Sequence, residues 1–196
     1  IQGTHCDLSL DATDDSLHRR GYRRDTVEAP LNEVLAAGII LSAGWRGDTS
    51  FADPMCGSGT LPIEAAMVAL NIPPQHKREV FGFFLWPDFQ PKLWQSVKQA
   101  ADARILQKFD FKILASDKDP RARNATALNV MSSGLEKFIQ IEKMPFEKCI
   151  PPDLLLTLIT NPPYDERLKV EDIAAFYRSI GDGFKQRWSG WDAWVF

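Results

Sequence analysis

The sequence predicts an α/β domain with a mainly parallel sheet and helices on its flanks. Short apolar segments with strand character alternate with longer segments in which apolar residues recur every three or four positions. One strand-like segment, residues 154–159, is almost entirely apolar, which is typical of a central strand buried on both faces. In such a fold the ligand sites lie at the carboxyl ends of the strands.

Length and composition limit the possible classes of protein. The 196 residues suffice for about one domain with its own core, and the formal net charge of −3 gives no overall positive field for a nucleic acid. No apolar run approaches the roughly 20 residues of a membrane-spanning helix. Three scattered cysteines favour a reducing compartment. We therefore expect a cytoplasmic protein with no membrane partner and no bound metal. The sequence leaves the oligomeric state open, with a monomer favoured.

Five segments carry the start, stop or periodicity signals of helices. Pro30 and Gly44 bound the first, and Thr60 is the predicted N-cap of the second. Asp119 and Gly134 are the predicted first and last capping residues of the fourth. The third and fifth are assigned from their apolar spacing. The predicted helices cover 31–43, 61–70, 93–105, 120–133 and 170–184.

Strands are predicted between these helices, because the intervening segments are short and rich in apolar residues. Residues 71–90 contain three prolines and a group of aromatic residues, and we expect an irregular insertion there. An alternating stretch at residues 6–11 predicts a further, N-terminal strand. Both ends of the sequence lie in strand-like stretches, which suggests a piece of a longer protein. The predicted core strands cover 50–53, 111–116, 138–142, 154–159 and 191–196.

The turn after the first core strand is the first candidate site. Its glycines permit backbone conformations closed to other residues, so a ligand can lie against the main chain beside the free N–H groups of a helix start. The third glycine of a dinucleotide site and the Gly-Lys-Ser/Thr of a P-loop are missing. The acidic residue of the turn favours a cationic cofactor over a pyrophosphate. The alternative to a ligand site is a glycine turn needed only for packing of the strand against the helix. The turn reads Asp53-Pro54-Met55-Cys56-Gly57-Ser58-Gly59-Thr60.

Two further strand ends carry candidate groups. Asp117 follows the second core strand, where an acidic residue accepts hydrogen bonds from ribose hydroxyls, although a solvated turn is the alternative. After the strand at 154–159, two prolines would hold the Asn161 amide and the Pro162 carbonyl in place to accept hydrogen bonds from an aromatic amine. A proline-stiffened loop with an Asx turn is the alternative there. This second motif reads Asn161-Pro162-Pro163-Tyr164, with the tyrosine as a stacking surface.

The two motifs together resemble those of class I S-adenosylmethionine-dependent amino-methyltransferases, which have a Rossmann-like sheet. Three further segments narrow the resemblance to the THUMP-associated guanine-N2 methyltransferases of ribosomal RNA, RlmL-like in type. The similarity runs over nearly the whole chain. These segments are Leu17-His18-Arg19-Arg20-Gly21-Tyr22-Arg23, Ala29-Pro30-Leu31 and Asp165-Glu166-Arg167-Leu168.

The resemblance implies a role for each site. S-adenosylmethionine is the implied cofactor, with residues 53–60 against its methionine part, Asp117 at its ribose, and residues 161–164 holding the target base. The family often places a carboxylate or amide after the third core strand, near the adenine. This chain has Lys143-Met144-Pro145-Phe146 there, and we expect Phe146 to pack on the adenine ring.

The implied substrate is ribosomal RNA, methylated at the N2 amine of a guanosine. A dense basic cluster is the candidate RNA contact, although a solvated segment paired with nearby acids is the alternative. We predict residues 1–29 to be an N-terminal strand and basic connector from a preceding THUMP-type domain, and residues 30–196 to be the catalytic core. The predicted RNA-binding residues are Arg19, Arg20, Tyr22 and Arg23.

The resemblance also implies a seven-stranded sheet that ends in an antiparallel hairpin. The sequence supplies about five core strands, so we expect that hairpin to be missing and the isolated chain to have little activity. Two other functions remain open. One is methylation of adenine N6 in DNA or of transfer RNA, and the other is a non-catalytic RNA- or nucleotide-binding module.

Overall fold

The computed structural model describes residues 3, 5–27, 30–149, 156–163 and 170–196. Five parallel strands form one sheet in the order β3-β2-β1-β4-β5, which confirms the predicted α/β class. The strands are β1 (Ser50–Asp53), β2 (Ile113–Asp117), β3 (Ile139–Lys143), β4 (Leu156–Thr160) and β5 (Asp192–Val195). The helices are α1 (Glu33–Ser42), α2 (Thr60–Ala69), α3 (Pro91–Asp102), α4 (Pro120–Ser133) and α5 (Val170–Arg187).

Capping side chains set the starts of two helices, α1 and α4. The Asn32 side chain accepts hydrogen bonds from the first N–H groups of α1, and Asp119 accepts one from the Arg121 N–H at the start of α4. Gly134 ends α4 in the left-handed conformation, as predicted. The predicted N-cap of α2 is wrong by one residue. The cap is Gly59, with φ 85°, and the neighbouring threonine is the first helical residue.

The strand order creates a crevice between β1 and β4. From β1 the chain continues to β2 and β3 on one side of the sheet, and it then returns to β4 and β5 on the other side. The loops that follow β1 and β4 therefore diverge, and this topological switch point is where open α/β sheets bind ligands. The first candidate turn and the Asn161 motif follow these two strands.

Side chains that alternate along the central strands fill two cores, one on each face of the sheet. Phe51 and Ile159 pack into the core with α1, α2 and α4, whereas Ala52 and Leu158 pack into the core with α5. The described side chains of β4, from residue 157 to residue 160, are all buried. Burial on both faces explains the apolar sequence of this strand.

The strand predicted at residues 6–11 is not formed. Its side chains Leu8 and Leu10 are 94% and 82% exposed, because the segment has no apolar surface on which to place its alternate residues. The segment just after it is held to the insertion, since Ala12 accepts a backbone hydrogen bond from Phe83. In the insertion and at the start of α3, aromatic rings pack mainly on one another and outside the two described cores. These rings are Phe81, Phe83, Phe84, Phe89 and Trp94.

Two glycines with similar backbone conformations offer a matched test of this packing. Gly47 has φ +90°, and a Cβ there would lie 2.8 Å from the backbone of Ala69 at the end of α2. Gly44 has φ +81° with open space around it. We expect Gly44→Ala to cost about 1–2 kcal/mol from backbone strain alone. Gly47→Ala should cost about 1–3 kcal/mol more, because α2 must shift. Urea unfolding measures both, and equal losses would contradict this packing.

Candidate active site

A cavity of about 470 Å³ lies at the carboxyl ends of β1, β2 and β4. This volume is in the range of small-molecule sites. The cavity brings together most residues that the sequence singles out, although they come from four separate segments of the chain. The predicted residues on its wall are Asp53, Pro54, Met55, Cys56, Gly57, Ser58, Thr60, Asp117, Phe146, Asn161 and Pro163.

Asp53 ends β1 and is almost completely buried, although its carboxyl group reaches the cavity. Its Oδ1 accepts a hydrogen bond of 2.7 Å from the Thr160 hydroxyl and one of 3.2 Å from the Met55 N–H. Thr160 ends β4, so the first of these bonds spans the switch point of the sheet. The carboxyl group therefore joins the two strands whose loops form the crevice.

Burial raises the pKa of Asp53 to about 7. The hydrogen bonds from Thr160 and Met55 oppose this shift, and the nearby Asp117 carboxylate adds to it. A carboxyl group in this state is readily ionised by a cation that enters the cavity. The site is thus poised to bind a positive charge.

The Asp117 carboxylate is fixed by two backbone N–H groups. Its Oδ2 accepts from the Gly57 N–H at 3.0 Å, and its Oδ1 accepts from the Asp119 N–H at 2.9 Å. Each carboxylate oxygen has a further lone pair, so Asp117 can still accept hydrogen bonds from ligand hydroxyls. The end of β2 therefore supports the glycine turn and keeps acceptor capacity on the side that lines the cavity.

The two glycines of the turn have the positive φ angles that the sequence analysis anticipates. Gly57 has φ 56° and Gly59 has φ 85°. A Cβ on Gly59 would lie 2.8 Å from the Thr126 methyl group on α4, so this glycine also allows close packing. The Thr126 hydroxyl in turn donates to the Gly57 carbonyl at 2.8 Å. Gly59 supports the turn and does not line the cavity.

The motif after β4 lies across the crevice from Asp53. Asn161 and Pro163 line the cavity, and Pro162 is buried beside them. Tyr164, the predicted stacking residue, lies outside the described residues. The amide group and the stiff proline corner are therefore at the cavity wall, as the sequence predicts.

Phe146 lies on the cavity wall and is held by α5. Its ring contacts Phe184 edge-on at a centroid distance of 5.6 Å, and the Arg187 guanidinium lies 5.5 Å from its centroid. The next residue, Glu147, also lines the cavity. Glu147 was not predicted from the sequence, although it is a carboxylate that directly follows the segment 143–146 considered there.

Three of the four side chains of the basic cluster, which the sequence predicts as the RNA contact, point inwards in the structure. Arg20 and Tyr22 both contact the buried Glu64, with the tyrosine hydroxyl donating at 3.0 Å. Arg23 donates to the buried Glu33 at 3.0 Å. A buried carboxylate needs a charged or hydrogen-bonding partner, and these side chains serve as the partners of Glu33 and Glu64.

Arg19 alone of the four remains exposed, with a weak ion pair to Asp15 on the surface. Its role in RNA binding stays a prediction. The other three residues hold the N-terminal segment onto the domain.

Several cavity residues were not recognised from the sequence. Val27 and Leu31 come from the N-terminal segment, Arg121 and Ala122 from the start of α4, and Phe176 from α5. Most of these side chains are apolar and carry no chemical signal of their own. The one sequence signal for these cavity residues is their position beside a predicted strand end or helix start.

The cavity wall is acidic on balance. Among the residues that the structure describes, four carboxyl groups and two basic side chains line it. This excess of negative charge favours a cationic ligand. The acidic residues are Asp53, Asp117, Asp119 and Glu147, and the basic ones are Lys118 and Arg121.

The part of the chain that the structure describes contains no cluster of three or more His, Cys, Asp or Glu side chains that could hold a metal ion. Among the same residues, no helix is both long and apolar enough to span a membrane.

The raised pKa values of Asp53 and Glu64, each about 7, predict how stability depends on pH. Between about pH 4 and 7 the folded state holds protons at these two groups that the unfolded state releases, so their contribution to stability is largest at acidic pH and is lost as the pH rises through about 7. Each group contributes up to about 1.4 kcal/mol per pH unit. Asp53→Asn should remove one contribution and make the ligand-free chain more stable than the parent at pH 8.

Urea unfolding from pH 5 to 8 measures this effect. Asp88→Asn, at an exposed carboxyl group, is the matched control and should keep the parental pH dependence. An Asp53→Asn variant with the parental pH dependence would show that the buried carboxyl group does not take up a proton.

Comparison with known proteins identifies the family. Residues 20–196 match the family described as RMKL-like, methyltransferase domain. The chain is 42% identical over 197 residues to slr0064 of Synechocystis sp., which is named provisionally as an RNA methyltransferase, and the match covers 100% of this chain and 51% of that protein. It is also 42% identical over 195 residues to the ribosomal RNA large subunit methyltransferase K/L of Psychromonas ingrahamii, covering 96% of this chain and 26% of that protein.

Solved structures agree with this assignment. SMU.472, described provisionally as a methyltransferase and solved in complex with SAH, superposes with a TM-score of 0.87 at 35% identity, covering 94% of this chain and 48% of that one. A predicted N6-adenine-specific DNA methylase of Listeria monocytogenes gives 0.85 at 33% identity, with the same coverage. The chain thus spans about half the length of these structures. By sequence match, fold and site geometry, it belongs to the RMKL-like methyltransferase domain family.

Proposed function

We propose that this chain is the catalytic domain of an RNA methyltransferase that uses S-adenosylmethionine to methylate the exocyclic N2 amine of a guanosine in ribosomal RNA. The observation that carries the proposal is the apposition, across the β1–β4 crevice, of an acidic cavity wall and the Asn161-Pro162-Pro163 corner. The names of the K/L relatives support ribosomal RNA as the substrate.

The residues of the cavity fit S-adenosylmethionine. Asp53, whose pKa of about 7 allows easy ionisation, would pair with a positive charge of the methionine part. Asp117 would accept hydrogen bonds from the ribose hydroxyls. The Phe146 ring would pack on the adenine, and Glu147 beside it offers an acceptor for the adenine amine.

The Asn161 corner fits a planar aromatic amine. The Asn161 side-chain oxygen and the Pro162 carbonyl are acceptors that could each take one N–H of an amine. The ring of Pro162 fixes its φ angle, and its burial limits movement of the corner. A target base would have to leave its stack to reach this position.

The chemistry asks more of positioning than of acid or base catalysis. S-adenosylmethionine supplies a methyl group activated by a positively charged sulfur. Asn161 and Pro162 would orient the lone pair of the amine and stabilise the positive charge that develops on it. The crevice would hold the two reactants on facing walls, which reduces the entropy lost in bringing them together.

One alternative has a specific observation in its favour. The Listeria structure with a TM-score of 0.85 is described as an N6-adenine-specific DNA methylase. The same corner can hold adenine N6 or guanine N2, because both are aromatic amines. The methylated product distinguishes them, since mass analysis of nucleosides from treated ribosomal RNA yields N2-methylguanosine under the proposed function. N6-methyladenine would overturn the proposed base.

Asn161→Ala tests the role of the corner. Loss of one oriented acceptor should reduce single-turnover methylation of ribosomal RNA by about 100-fold or more at saturating cofactor. The affinity of the variant for S-adenosylhomocysteine, measured by calorimetry, should change little. Asn124→Ala, on the exposed face of α4, makes the same substitution away from the cavity and should methylate at the parental rate. A parental rate for Asn161→Ala would refute the role.

A further inference from the structure

The N-terminal strap, defined as residues 22–27, crosses the glycine turn of the cavity. Thr26 and Val27 form part of the cavity wall. A Cβ placed on Gly57 would lie 3.4 Å from a methyl group of Val27, so a side chain at this position of the turn would contact the strap. The strap is therefore part of the site, although it precedes the core strands in the sequence.

Asn129, on α4, joins the strap to the turn through one side-chain amide. It is fully buried, and all four of its hydrogen bonds go to backbone groups. Its Oδ1 accepts from the N–H groups of Arg24 at 2.6 Å and Asp25 at 3.1 Å. Its Nδ2 donates to the carbonyls of Asp25 at 2.8 Å and Ser58 at 2.9 Å. The buried amide is satisfied only when the strap is docked and the turn is in place.

Arg23 makes a second connection between the same two segments. Its Nε pairs with Glu33. Its Nη1 donates to the Ser58 hydroxyl at 3.2 Å, and its Nη2 donates to the Thr60 hydroxyl at 3.1 Å and to the Leu31 carbonyl at 3.0 Å. The planar guanidinium can contact the helix start and the turn together, which a lysine ammonium cannot do.

The two connections meet at Ser58. Its hydroxyl accepts from Arg23 and its carbonyl accepts from Asn129. The preceding Gly57 is held by Asp117 at the end of β2 and by Thr126 on α4. The turn is thus held from both sides, and a turn held in its binding conformation loses less entropy when a ligand binds.

We propose that Arg23 and Asn129 are positioning residues through which docking of the N-terminal strap determines the affinity of the glycine turn for its cofactor. The inference rests on the proposed function for the identity of that cofactor. The hydrogen bonds that hold the turn lie within the protein and do not depend on which cofactor binds. Arg23 then acts on the cofactor and not on RNA, which separates this role from the one predicted from the sequence.

Adjacent arginines provide a matched test. Arg24 lies on the same strap, but its side chain donates to Ser132 at the surface. Arg23→Ala should weaken binding of S-adenosylhomocysteine, measured by calorimetry on folded protein, by about 10–100-fold. Arg24→Ala should bind within about twofold of the parent, since it leaves the turn unchanged. In steady-state assays, Arg23→Ala should raise KM for S-adenosylmethionine and leave KM for RNA unchanged.

A ligand-free measurement separates failure of this inference from failure of the proposed function. Amide hydrogen exchange at residues 57–59 should be faster in Arg23→Ala than in the parent and unchanged in Arg24→Ala. If the parent binds no S-adenosylhomocysteine, the proposed cofactor is wrong, and the exchange rates still test the positioning role. Parental exchange and binding in Arg23→Ala, or equal losses in both variants, would overturn it.

Arg23→Lys covers the case in which Arg23→Ala does not fold. Lysine keeps a positive charge near Glu33 but cannot contact all four acceptors at once. It should bind S-adenosylhomocysteine more weakly than the parent, with faster exchange at the turn. Parental values for both measurements in this variant would equally overturn the inference.

Discussion

A carboxyl group buried at the switch point of the sheet is the constraint on which the rest of the site depends. Asp53 ends the central strand, and its hydrogen bond from Thr160 joins β1 to β4 where their loops diverge. Burial makes the charged form costly, with a pKa of about 7. When ionised at this buried position, the Asp53 carboxyl group lowers the stability of the folded state at neutral pH. Groups that are destabilising in this way are common in functional sites.

Other buried acids explain the basic residues near the N-terminus. Glu33 and Glu64 lie on buried helix faces, and an unpaired buried carboxylate is strongly destabilising. Arg20, Tyr22 and Arg23 supply their partners. The basic residues near the N-terminus, which in the sequence resemble a nucleic acid contact, therefore mainly bind buried carboxyl groups inside the domain. The same contacts place the strap beside the cavity, so stability and site geometry share one set of interactions.

The sheet and the cavity wall draw on residues distant in the chain. Asp53 and Asp117 end β1 and β2, whereas Phe146 and Asn161 follow β3 and β4. Parallel pairing places these four strand ends on one edge of the sheet. Helix α5 supports this arrangement, since Phe176 lines the cavity and Phe184 packs on Phe146. The loop contacts thus depend on a rigid scaffold beneath them.

The α/β class, the core strands to within about two residues, and the chemical groups at their ends can be predicted from the sequence. Apolar periodicity, capping residues such as Asp119, and glycines that need positive φ are local properties that do not depend on distant contacts. Three features could not be predicted in this way: Arg23 points inwards, residues 6–11 form no strand, and Asn129 holds the glycine turn. The physical reason is that burial and hydrogen-bond partners depend on residues up to about a hundred positions away, as for the Arg24–Asn129 pair.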